Sequence, residues 1–220
     1  MQVIRTSSRA ELITVWLKSE WDAPPTREAD RRLVDEPDLN DPAENATRQQ
    51  LLYRDRKIIL EKVPEPTEYL VMQLDAADLP KLHVMTCLEW YLDTGGTFRL
   101  SDTVTNLARG RQFRHGPIHQ PIDHLTAVDA LAPKLLAYET TTEENLIIIA
   151  ADAAGPYSII DGNHRAAALY RNHLTQPNTP WRAIMAVGPA MAHCSWYIRS
   201  EMSKQNIAQL RLLNDLGALR

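Results

Sequence analysis

Cys87 and Cys194 are the only cysteines in 220 residues, so no disulfide framework is available and a reducing, cytoplasmic setting is expected. No apolar run approaches the roughly 20 residues a membrane-spanning helix needs, and the N-terminus Met1-Gln2-Val3-Ile4-Arg5-Thr6 lacks the apolar stretch of a signal peptide. An excess of positive charge is missing too. The net charge of −4 gives no global pull toward nucleic acid, so any such binding needs a local basic patch. No internal repeat, low-complexity tract or helix-turn-helix pattern stands out.

What remains is an ordinary globular composition, 44% hydrophobic and 24% charged, in a chain long enough for one domain with extensions. Its most informative stretch runs from Tyr157 to Leu169. The residues up to Ile160 are β-branched and apolar, whereas the Ala-rich run after Gly162 reads as helix. A strand that enters a helix through Asp161-Gly162 leaves the first helical amides unpaired and aimed at one spot, which favours an anion. Gly162 has no Cβ and lets a ligand oxygen come close. Arg165 brings a guanidinium shaped for phosphate or carboxylate, and His164 a hydrogen-bond donor. The plainer reading is that Asp161 caps the helix, Arg165 is solvated and His164 packs.

Ile159-Ile160-Asp161-Gly162-Asn163-His164-Arg165 followed by an Ala-rich helix resembles the strand-turn-helix signature of the ParB/sulfiredoxin superfamily, the match covering mainly residues 146–187. That group includes ParB nucleotidase domains, sulfiredoxins, free serine kinases and plasmid fertility-inhibition proteins with ATPase and nuclease activity. The resemblance implies nucleotide phosphates at the turn, with ATP or another NTP and Mg2+ as cofactors. It implies Gly162, Asn163 and Arg165 as phosphate ligands, His164 as a phosphate ligand or acid, and Asp161 as a cap or a magnesium-water ligand. Asp161, His164 and Arg165 form the implied catalytic set. Sulfiredoxins carry a cysteine just before the His-Arg pair; Asn163 stands there instead, which argues against sulfinic-acid reduction. The function expected is NTP hydrolysis or phosphoryl transfer; the alternative is a ParB-like nuclease or a regulatory module that binds nucleotide, nucleic acid or a partner without turnover.

The rest of the chain supplies the frame. Ser8 to Glu11 has capping-box spacing and predicts a helix over about residues 8–20, with Trp16 on its apolar stripe. Residues 22–42 show no apolar period and read as a surface connection. Asp41-Pro42-Ala43-Glu44 opens a helix to about Lys62, burying Leu51, Leu52, Ile58 and Ile59, with Arg48, Arg54, Arg56 and Lys57 mostly outside. Strands are expected at 68–74, 146–150, 157–160 and 181–187, and helices at about 88–94, from the 123–126 lead-in through Val128, Leu131, Leu135 and Leu136 to Tyr138-Glu139, at 163–173, and from about Ile198 to near Gly217. Residues 99–115 carry Arg99, Arg109, Arg111 and Arg114 against the single acid Asp102. They read as a basic loop, either an ordinary charged surface or a lid over phosphates that also contacts nucleic acid weakly. His115, His119 and His124 are spaced too loosely for a zinc site.

The expected architecture is α+β: a small mixed sheet with flanking helices over residues 65–190, a helical N-terminal extension over 1–64 and a C-terminal helix in 191–220. The terminal helices offer faces for a homodimer, and no membrane partner is expected.

Overall fold

The computed structural model describes residues 2–20, 28–109, 124–137, 146–175 and 181–216. Among them, six strands form one mixed sheet: β1 (Gln2–Thr6), β2 (Glu68–Leu74), β3 (Leu82–His83), β4 (Leu146–Ala150), β5 (Tyr157–Asp161) and β6 (Trp181–Val187). Their spatial order is β1-β2-β6-β4-β5-β3. β4 and β6 run parallel, as do β3 and β5; the other neighbours are antiparallel.

Helices cover both faces. α1 (Arg9–Glu20), α2 (Glu28–Asp35) and α3 (Pro42–Leu60) lie on one side, while α4 (Leu88–Asp93), α5 (Leu100–Ala108), α6 (His124–Ala137) and α7 (Asn163–Thr175) lie on the other. α8 (Glu201–Asp215) packs beside α4. The two-residue period of the strands divides the core between these layers. Leu146, Ile148 and Ala150 of β4 face α7, and Ile147 and Ile149 face α1, which is why this strand has no polar position. Each of its buried isoleucines contributes roughly 1.5–3 kcal/mol of burial.

The N-terminal segment is therefore not only helical. β1 pairs with β2 and extends the sheet, and α1 with α3 closes one face through Leu12, Ile13, Trp16, Leu17 and Leu52. The stretch 22–42, expected to be irregular, contains α2, whose Val34 is buried against this layer. α3 starts as the sequence indicates, with Asp41 accepting from the amides of Ala43 and Glu44. Its burial differs from expectation: Arg48 is fully buried and Ile58 is 67% exposed. The backbone leaves helical geometry at Arg56 (φ −123°, ψ 20°), which shifts the phase of the residues after it and turns Ile58 outward.

The basic loop is also revised. Leu100, Val104 and Leu107 recur at helical spacing and are buried, so much of residues 99–109 is helix α5. Arg111, Arg114, His115 and His119 lie outside the described residues. At the other end, Ile207 and Leu210 of α8 pack on the core, but Leu213 and Leu216 are exposed. No described helix is long and apolar enough to cross a membrane.

Candidate functional site

β5 hands the chain to α7 at Gly162, whose φ of +84° is a conformation that a side chain would strain. The first intrahelical bond runs from the Ala166 amide to the Gly162 carbonyl at 2.7 Å. Ahead of it stand the amides of Asn163, His164 and Arg165, the group that a helix start leaves unpaired. No side chain among the described residues caps them. Asp161 does not, because its Oδ2 accepts from Arg165 Nη2 at 2.6 Å and from Ser19 Oγ of α1 at 2.9 Å. Asn163 does not either: its buried Oδ1 turns back to accept the Met85 amide at 3.1 Å.

Arg165 thus lies folded against Asp161 rather than solvated, with 22% of its side chain exposed. Its Nε is buried and without a partner, so the Asp161 bond orients the guanidinium while leaving donor capacity in it.

His164 leaves the turn toward the opposite layer. Its ring sits 5.2 Å from Trp90 and edge-on to His124 at 4.9 Å, and its Nε2 is buried with no partner. Burial, reinforced by His124 and Arg165 and opposed by Asp93, pushes its pKa down to about 4. The imidazole is uncharged at neutral pH, suited to donating or accepting one hydrogen bond and poorly suited to supplying a proton. Beside it, His124 Nδ1 is bonded to Asp93 Oδ2.

Of the turn side chains predicted from sequence, Asp161 and Arg165 are brought together, whereas the Asn163 carboxamide turns to Met85 and the His164 ring to Trp90 and His124. Arg109 stands exposed just past α5, a helix that packs on α7; Arg111 and Arg114 fall outside the described residues. Ser19 and Asp93 were not foreseen, since the first bonds Asp161 across 142 positions and the second His124 across 31, with no local motif at either. Cys87 is no nucleophile: burial, helped by Glu89, pushes its thiol up.

The uncapped amides and the oriented guanidinium fit a phosphate. A metal fits less fully. Among the described residues no group of three His, Cys, Asp or Glu side chains converges to hold one, leaving the Asp161 carboxylate as a single ligand beside the turn. Compared with known family models, curated proteins and solved structures, the chain matches none.

Proposed function

We propose that this chain is a nucleotide-phosphate-binding protein of ParB/sulfiredoxin-like type, acting as an NTP hydrolase or phosphotransferase, with phosphates held at Asp161–Arg165. The observation that carries the reading is the uncapped start of α7: three consecutive amides beside an arginine whose Nε is unpartnered. The amides of Asn163, His164 and Arg165 would take phosphate oxygens, Gly162 would let them approach closely, and the Arg165 guanidinium would neutralise their charge in a partly desolvated corner. Mg2+ would arrive on the nucleotide, with Asp161 as its one protein ligand through water; when bound, it would neutralise charge on the phosphates. Arg109, with Arg111 and Arg114, would close over the phosphates or contact nucleic acid.

One observation favours the alternative, a regulatory module that binds without turnover. Asp161 already pairs with Arg165, and His164 is uncharged, so the turn itself contains no free base or acid. The deciding experiment is a calorimetric panel of ATP, ADP, CTP and GTP with magnesium, followed by phosphate release with and without serine or DNA. Binding with turnover supports the enzyme, binding alone the module, and no binding by any nucleotide removes both. Arg165→Ala should weaken binding by well over tenfold, because charge-assisted hydrogen bonds of about 1.5–3 kcal/mol are lost. A second copy of the chain remains the partner proposed for the exposed Leu212 and Leu213 of α8 and Leu216 just past it, checked by sedimentation of Leu213→Glu.

A further inference from the structure

Behind the turn, on the face away from α1, four aromatic or charged side chains, Trp90, Asp93, His124 and His164, meet in a way that packing alone does not require. Asp93 closes α4 and is 4% exposed; His124 opens α6 and is 5% exposed. The Asp93 carboxylate can only accept, so the bonded Nδ1 of His124 carries a proton, and in the uncharged form of the ring the lone pair lies on Nε2. Trp90, one turn back in α4, stacks on the imidazole at 4.2 Å and 27° and fixes the ring plane. The His164 ring packs against it edge-to-face, 4.9 Å between centroids and 73° between planes, and His164's own backbone amide is one of the three at the start of α7. Burying an aspartate and a histidine costs desolvation that an apolar pair of the same volume would not incur. The arrangement is that of a base held in one tautomer, with a carboxylate behind it to stabilise its cation.

We propose that His124 is the general base for the nucleophile that attacks the phosphate held at Gly162–Arg165, and that Asp93 is its positioning residue; the assignment rests on the phosphate reading above. In the step, His124 Nε2 takes the proton of water or an acceptor hydroxyl as that oxygen bonds to the terminal phosphorus. The bond from phosphorus to the bridging oxygen breaks, and the nucleoside diphosphate leaves with the electron pair. Asp93 stabilises the imidazolium until its proton passes to solvent. Among the described residues, the ionisable groups around the two rings are Asp93 from α4 and His164 and Arg165 from α7.

The test uses the full chain with ATP and magnesium, comparing His124→Gln, Asp93→Asn and Arg165→Ala by calorimetry and by phosphate release across pH. His124→Gln should bind within about threefold of the parent yet lose about 100-fold or more in kcat, together with the rising limb of the pH profile. Asp93→Asn should lower kcat at least about tenfold with nucleotide binding unchanged, because the ring loses the acceptor that fixes its tautomer. Arg165→Ala should instead lose binding. A kcat for His124→Gln within threefold of the parent overturns the assignment. So does a parent protein that binds nucleotide but releases no phosphate, and then the phosphate site survives alone. A parent that binds no nucleotide overturns both. Nitrogen-15 spectra of the histidines give a readout that needs no variant to fold: His124 should carry its proton on Nδ1, and an Nε2–H tautomer overturns the proposal.

Discussion

Arg48 and Arg165 are both drawn in from solvent, at opposite ends of the chain, and they use their donors differently. The Arg48 side chain is fully buried. Its Nη1 donates to the Leu33 carbonyl at 3.0 Å and Glu44 Oε2 at 3.1 Å, and Nη2 to the Asp38 carbonyl at 2.8 Å and Asn45 Oδ1 at 2.5 Å. This guanidinium fastens the connection between α2 and α3. Arg165, 22% exposed, makes one hydrogen bond among the described residues, to a carboxylate four residues back, and sits beside amides that no described side chain caps. Burial of a charge is thus a poor marker of a site, and so is a buried Nε without a partner, which both arginines have; what distinguishes the two is that the chain supplies four acceptors to the Arg48 terminal nitrogens and, among the described residues, one to those of Arg165. The sharpest way to break the comparison is Arg48→Ala. It should cost about 3 kcal/mol in urea unfolding, since two backbone carbonyls and Glu44 lose a charged donor, and leave nucleotide affinity unchanged in the folded protein. A small stability loss there would mean the two corners are alike.

His164 probes the second corner through pH. Its folded pKa, about 4, lies below the ordinary histidine value, so between about pH 6.5 and 4 the unfolded chain binds a proton that the folded one does not. Stability must fall as pH drops through that window, by up to about 3 kcal/mol at its lower end. Denaturant midpoints at pH 7 and 4.5 should diverge in the parent protein and converge in His164→Asn. An unchanged divergence would place the titration elsewhere. Smaller still is the stability arm of Arg165→Ala. A partly exposed i,i+4 pair is worth about 1 kcal/mol or less, so its loss should hardly move the midpoint even as nucleotide affinity falls.

The same contrast shows which features local sequence could reveal. β2, β4 and β6 stand at the residues expected of them, β4 most plainly, because a strand buried on both faces needs apolar residues throughout. The helix start at Asp41-Pro42 and the turn at Asp161-Gly162 were equally legible, each being determined by the chemistry of two or three adjacent residues. α5 was obscured by the arginines around it, although Leu100, Val104 and Leu107 carried its period. Arg48 could not be placed inside from its own neighbourhood, since two of its acceptors belong to the loop and helix before α3. Asp93 with His124, and Ser19 with Asp161, become neighbours only when layers assemble, and nothing near them in sequence announces it.

Ser19 offers the mildest intervention and tests how much the N-terminal layer matters to the turn. Its Oγ lies 2.7 Å from the Trp16 carbonyl and 2.9 Å from Asp161 Oδ2, so one hydroxyl proton is shared between them. Ser19→Ala removes no charge and only a fraction of a neutral-to-charged hydrogen bond, so the expected stability loss is about 0.5–1 kcal/mol. Its effect on nucleotide affinity should nevertheless exceed that of an equally mild change at Thr47, whose hydroxyl bonds the Ala43 carbonyl within α3. Freed from Ser19, Asp161 has only Arg165 to hold, and the pair can turn more readily away from the α7 amides. Equal affinities for Ser19→Ala and Thr47→Ala would mean that α1 covers the sheet without tuning the corner beside it.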